Sequence, residues 1–169
     1  MAMYLGLDVH SKTTFVHAQD GGGTTLFSGE IETSVAAFAT FKERLAVPEG
    51  SEAALESGAM AEFTSGVLAG LGIKPVVVSA REVRQKARRV GQKSDSRDAF
   101  ELCDGWRRGI FTCVVWVPPP QVSELRRLVA ARQSFIGDRT SASNRMKALL
   151  RGEGMQKASM PRLSCERAW

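Results

Sequence analysis

Short apolar runs broken by turn-forming residues dominate the first half of the chain. Met3 to Val9 is apolar apart from Asp8 and Gly6 and ends at polar residues, which predicts a buried strand. Thr13 to Gln19 alternates, with Phe15 and His17 on one face and Val16 and Ala18 on the other, a second strand. Asp20-Gly21-Gly22-Gly23 predicts a hairpin turn in which glycine accepts positive φ, and Thr24 to Ile31 a third strand. Thr33 or Ser34 then caps a helix to about Leu45, with Val35, Phe38, Phe41 and Leu45 on one face, and Pro48 and Gly50 end it. Glu52 to Glu56 reads as a short strand, Met60 to Leu71 as a helix closed by Gly72, and Pro75 to Ser79 as an apolar strand. Arg81 to Val90 is basic and helical in pattern. Gly91 and Gln92 break it, and Ser94 or Asp95 caps a further helix from Ser96 to about Arg108.

Three strands joined by tight turns must be antiparallel, whereas strands separated by helices can run parallel. The order strand, strand, strand, helix, strand, helix, strand, helix therefore predicts an α/β protein with an RNase H-like mixed sheet and flanking helices. In that order strand one is central and strand four lies beside it. The sheet domain is expected over residues 1–113 and a stiff, Pro-rich connector containing Pro118-Pro119-Pro120 over 114–120. A long helix is expected over residues 121–151 and a flexible tail over 152–169. The long helix carries an imperfect stripe of Val122, Leu125, Leu128, Val129, Phe135, Ile136, Met146, Leu149 and Leu150, interrupted by Arg126, Arg127, Arg132, Arg139, Arg145 and Lys147. A stripe of that length needs a partner surface.

Charge sharpens this division. Residues 1 to 80 carry 4 Lys/Arg against 9 Asp/Glu, a net of −5, while residues 81 to 169 carry 19 against 9, a net of +10. Arg81, Arg84, Lys86, Arg88, Arg89, Lys93 and Arg97 cluster in one stretch opposed only by Glu82 and Asp95, so a polyanion engaged by the second half is expected. With Arg126, Arg127 and Arg132 of the long helix, these are the candidate nucleic-acid contacts. Trp106, Trp116 and Trp169 could stack on bases, but Trp106 on a helix face and Trp116 in an apolar strand are better suited to core packing. The 43% hydrophobic composition excludes wholesale disorder. No run approaches the roughly 20 apolar residues that span a bilayer, and no secretory signal is evident, so a cytoplasmic protein without a membrane partner is expected. Cys103, Cys113 and Cys165 are odd in number and widely spaced, and lie far from His10 and His17, which argues against both a zinc site and a disulfide framework. The glycines at 21–23 lack the Gly-Lys-Ser/Thr sequel of a phosphate loop.

The candidate chemistry lies in carboxylates. A carboxylate inside a buried strand, such as Asp8, is costly unless paired, and a metal ion is the usual partner. Glu56 closes the neighbouring strand, and Asp95 and Asp98 are three apart at a helix start, so both project from one face. If that helix crosses the strand ends, four carboxylates converge. Such a cage could hold two Mg2+ ions about 3.5–4 Å apart, one activating a nucleophile and one stabilising the leaving oxygen of a phosphodiester. Each residue also has a plainer use: Asp8 could cap a turn with Ser11 or Thr13, Glu56 could sit on the surface, and Asp95 with Asp98 could cap a helix and complement its dipole.

Gly6-Leu7-Asp8-Val9-His10-Ser11-Lys12-Thr13, Leu55-Glu56-Ser57-Gly58 and Lys93-Ser94-Asp95-Ser96-Arg97-Asp98-Ala99 resemble the N-terminal, RuvC-like domain of the DEDD insertion-sequence transposases, the family of bridge-RNA-guided recombinases. Leu125 to Leu150, with Arg132, Asn144-Arg145 and Leu149-Leu150, is similar to that family's long helix, and the resemblance covers roughly residues 3 to 153. It implies that Asp8, Glu56, Asp95 and Asp98 are catalytic metal ligands for Mg2+, with Mn2+ able to substitute. It also implies DNA and a structured guide RNA as partners, and a homo-oligomer formed through the long helix. The family further carries a C-terminal domain whose serine attacks DNA. The chain ends before such a domain, so it is expected to be incomplete as a transposase by itself. Two other readings compete: a non-catalytic nucleic-acid-binding and dimerisation module, and an actin-like kinase fragment, since Gly6-Leu7-Asp8 also opens that fold. The second would need another lobe and a phosphate loop, neither of which is found.

Overall fold

The computed structural model describes residues 3–86 and 94–155. The chain divides into two compact units, Met1–Val117 and Pro118–Trp169. In the first, β1 (Tyr4–Val9), β2 (Thr13–Gln19), β3 (Thr25–Glu32), β4 (Glu52–Glu56) and β5 (Lys74–Val78) form one sheet in the spatial order β3-β2-β1-β4-β5. β1 to β3 are antiparallel neighbours, and β4 and β5 continue the sheet parallel to β1. The helices α1 (Val35–Arg44), α2 (Ala61–Gly70), α3 (Ala80–Lys86) and α4 (Asp95–Arg107) flank it. This is the RNase H-like α/β architecture expected from the element order, with β1 central and β4 beside it.

Local chemistry accounts for the path. In the β2–β3 turn the Asp20 carbonyl accepts from Gly23 N–H at 3.1 Å and the Asp20 carboxylate from Thr24 N–H at 2.8 Å. Gly23 takes φ +91°, which a side chain would resist. Ser34 caps α1, its Oγ accepting from Ala37 N–H at 3.2 Å. Phe38 and Phe41 of α1 are buried, but Val35 is 57% exposed. Six residues from Phe41, Val35 lies about 120° round the helix from it and so falls on the rim of the expected face.

Period-two alternation divides the sheet into two faces. Leu5, Leu7, Val16, Ala18, Ala53, Leu55 and Val77 join Phe38, Phe41 and Leu68 in the core under α1 and α2. Ala54, Val76 and Val78 pack with Leu102 and Phe111 on the opposite face, against which Val83 of α3 and Trp106 of α4 lie. α4 crosses β1, β2 and β4 on that second face. Its approach is very close. A Cβ on Gly6 would collide with the Ala99 carbonyl and the Cys103 amide, and the Cys103 thiol donates to the Tyr4 carbonyl at 3.2 Å.

After α4 the chain returns along β5. Ser79 N–H donates to the Cys113 carbonyl at 3.0 Å, Val114 bridges Val78, and Val115 N–H donates to the Val77 carbonyl at 2.7 Å. Trp116, expected in the core, is 62% exposed. Alternation turns Trp116 out because its neighbour Val117 turns in against the core. Trp106 does pack, and its indole N–H donates to Glu52 Oε2 at 2.8 Å. Trp169 and Cys165 lie outside the described residues.

The second unit contains α5 (Pro120–Gly152), one helix of 33 residues with proline at its start, where a missing N–H costs nothing. Leu128, Phe135, Ala142 and Leu149 recur every seventh residue along it and all are exposed. From residue 156 the expected tail lies outside the described residues. No helix among the described residues is long and apolar enough to cross a membrane.

Candidate metal centre

The site begins with the register of β1 and β4. Gly6 pairs with Ala54 and Leu7 with Leu55, so Asp8 and Glu56 occupy the next position on two adjacent parallel strands. Alternation puts both on the face crossed by α4. There the close packing at Gly6 fixes the helix, and Asp95 and Asp98 fall in its first turn. Ser94 is the N-cap residue, with Arg97 and Asp98 N–H donating to its carbonyl at 2.9 and 3.0 Å, which leaves Asp95 and Asp98 free of the capping role.

Asp8 and Asp95 are brought together, and with them His10. One ligand atom of each lies within 4.8 Å of the others. His10 Nε2 stands 3.3 Å from Asp8 Oδ2 and 3.8 Å from Asp95 Oδ2. Burial pushes the Asp8 carboxyl above its ordinary range; the neighbouring charges of Asp95 and Asp98 push the same way, against the opposing pull of His10. A dication suits this arrangement, since it would relieve both the repulsion and the desolvation of Asp8. The donor set is oxygen-rich, as a hard divalent ion requires, with one imidazole nitrogen at its edge.

The sequence matches a transposase family, the DEDD transposases of the IS110 type, over residues 5–154. The chain belongs to that family. No curated protein matches it. Membership makes DNA transposition the setting for this site and DNA its polyanion, and the matched stretch includes Asp8, Glu56, Asp95 and Asp98 alike.

The remaining predicted residues of this transposase chain differ in their surroundings. Asp98 is near enough to act on the Asp8 charge. Glu56 stands outside the close group of three, with Oε1 3.9 Å from the Arg84 guanidinium. Both of those side chains are exposed, so the pair contributes little. Arg81 is exposed in the first turn of α3 and Arg84 in its last. Lys86 is committed internally: its ammonium donates to Glu82 Oε1 at 2.5 Å and to the Ile110 carbonyl at 2.6 Å. Arg97 pairs with Glu101 at 3.2 Å. Arg126, Arg127 and Arg132 are exposed on α5, and Arg88, Arg89 and Lys93 lie outside the described residues.

Two residues that matter here were not singled out from the sequence. His10 follows Asp8 by two positions, and i, i+2 residues of an extended segment share a face, which was the available signal. Glu82 is buried, and its carboxylate accepts from Thr112 N–H and Oγ1 and from Cys113 N–H at 2.8 to 3.2 Å, besides Lys86. The Lys86 ammonium first, then the Cys113 and Thr112 donors, hold its pKa down to about 2. Cys103 is buried, and burial pushes its thiol up to about 12, so it is neither a thiolate ligand nor a nucleophile at neutral pH.

Proposed function

We propose that this chain is the catalytic-metal domain of a DNA transposase, in which Asp8, Glu56, Asp95 and Asp98 hold divalent metal for phosphoryl transfer on DNA. The observation that carries the reading is the meeting of Asp8, from the central strand, with Asp95, from the first turn of α4, inside a chain of the transposase family. Mg2+ is the expected ion, with Mn2+ able to substitute, and when bound it supplies Lewis-acid activation and charge neutralisation at the scissile phosphate. The chain's own contribution is placement. Asp8 is fixed by its pairing with Phe15 of β2 and by the β4 pairing that runs up to its neighbour Leu7, and Asp95 and Asp98 by the contact of α4 with Gly6. The exposed Arg81 and Arg84 on α3 are suited to orienting the DNA backbone, and Arg126, Arg127 and Arg132 to a second stretch of nucleic acid. On the family resemblance, that second stretch is a structured guide RNA, α5 joins two copies of the chain, and strand transfer draws on a serine from a further domain.

Calorimetric titration with Mn2+ tests the reading. Wild type is expected to bind, and Asp8→Asn and Asp98→Asn to bind at least about tenfold more weakly, as loss of a charged ligand group predicts. Equal binding by all three would sink it.

The exposed apolar row on α5 favours a second reading, a nucleic-acid-binding and dimerisation module with no chemistry of its own. Nucleic-acid binding that survives neutralisation of all four carboxylates, with no cleavage by wild type in Mg2+, would select it.

A further inference from the structure

His10 is the one nitrogen donor in the close group, and its placement is built rather than incidental. Its N–H donates to the Thr13 carbonyl at 2.9 Å, closing the turn between β1 and β2. Its own carbonyl accepts from Thr33 Oγ1 at 2.9 Å, and Thr33 is tied in turn to Thr14 at 2.7 Å. Thr14 is fully buried, so the backbone beneath His10 is anchored to the core of the sheet. From that base the ring turns Nε2, not its outer edge, toward both carboxylates.

The separations fit shared ligation. Two ligand atoms at about 2.0–2.2 Å from one ion, at right angles to each other, stand roughly 3 Å apart. His10 Nε2 lies 3.3 Å from Asp8 Oδ2 and 3.8 Å from Asp95 Oδ2, so closing on a shared ion asks for about 0.3 Å at the first contact and about 0.8 Å at the second, within what rotation of two exposed side chains supplies. The imidazole side chain is 55% exposed, so its lone pair can be freed for a metal without opening the core.

We infer that His10 donates Nε2 to the ion held by Asp8 and Asp95, giving a site of two carboxylates and one imidazole that favours Mn2+ over Mg2+. This rests on the metal-site reading above. The selectivity follows from ligand chemistry. Mg2+ takes oxygen donors and keeps its waters, whereas affinity for an imidazole nitrogen rises on passing to first-row transition ions.

The test uses the full chain, stripped with chelator and reloaded with Mn2+ or Mg2+ alone. Electron spin-echo modulation of the Mn2+ form should show a directly bound nitrogen, and labelling the histidines with 15N should change that modulation with no mutation made. His10→Ala should abolish the nitrogen signal and weaken Mn2+ by about tenfold or more, while changing Mg2+ affinity by about twofold or less. Mn2+ bound without nitrogen coupling, or equal losses for the two ions, would overturn the inference and leave the carboxylate site intact. Mn2+ binding that is absent, or unchanged in Asp8→Asn, would overturn the metal site itself and the inference with it.

Discussion

Glu82 shows how one side chain can stitch a fold together. It draws α3 onto the segment at Thr112 and Cys113 by accepting from two backbone amides, a hydroxyl and the Lys86 ammonium. Its carboxyl is held near 2 against an ordinary value of 4.5, so its ionised form is favoured by the folded state. The linkage has a definite sign. A depressed carboxyl stabilises the fold fully above its unfolded pKa and loses that contribution as the pH falls from about 4.5 toward 2. Glu82→Gln places amide hydrogens against donors and removes the charge. Its melting temperature should be lower than wild type's at pH 7, and the gap should narrow steadily below pH 4.5. Parallel melting curves for the two proteins down to pH 2 would assign the acid sensitivity to other carboxylates. In the sequence near Glu82 only the i,i+4 pair with Lys86 is legible; Thr112 and Cys113, 30 and 31 residues downstream, meet it only once the chain has returned beside β5. His10 escaped notice for a related reason. Its proximity to Asp8 is local, but its proximity to Asp95 depends on where α4 lands. Asp8, by contrast, was legible because a carboxylate in an apolar strand is an anomaly that local sequence exposes.

The contact between β1 and α4 is the element-scale counterpart. Gly6 is required by the helix that crosses it, since any Cβ would strike the backbone of Ala99 and Cys103, which cannot swing aside as a side chain could. Gly6→Ala should therefore lift α4 from the sheet, costing about 1–3 kcal/mol as overpacking does. Because Asp95 and Asp98 ride on the same helix, Mn2+ affinity should fall together with stability, although no ligand has been touched. Thermal melts paired with Mn2+ titration check this, and a destabilised variant with wild-type affinity would mean that the first turn of α4 is held from elsewhere. The elements themselves were readable in advance. β2 and β4 fall where alternation and apolar runs put them, because one face of each strand is committed to the core under α1 and α2. The sheet order followed from turn length and helical crossovers. What periodicity could not supply was side-chain fate at element margins: Val35 at the first turn of α1 and Trp116 just past the last bridge to β5 both lie exposed.

Across the whole chain, the acidic half carries Asp8 and Glu56, and the basic half carries Asp95, Asp98 and a run of cationic residues reaching into α5. That helix is long, yet its stripe remains open. Leu125, Leu128, Phe135 and Leu149 are between 61% and 73% exposed. The row Leu128, Phe135, Ala142, Leu149 repeats every seven residues, the spacing that lets two helices keep a seam in register. Beside it, at the alternate seam positions, Leu125 and Met146 bracket Arg132 and Arg139. The arginines would repel their equivalents across a symmetric pair unless anions lay between them, so nucleic acid should strengthen pairing and high salt should weaken it. Each fully buried leucine or phenylalanine contributes about 1.5–3 kcal/mol, and 1.4 kcal/mol is a factor of ten in an association constant. Leu128→Glu with Phe135→Glu should accordingly weaken self-association by at least about a hundredfold while leaving the Mn2+ affinity of the sheet unit unchanged. Sedimentation of the full chain, with and without a structured RNA, measures the first, and calorimetry the second. A wild-type chain that sediments as a monomer in both conditions would assign the apolar row to some other surface; loss of metal binding in the double variant would show that α5 and the carboxylate site depend on one another.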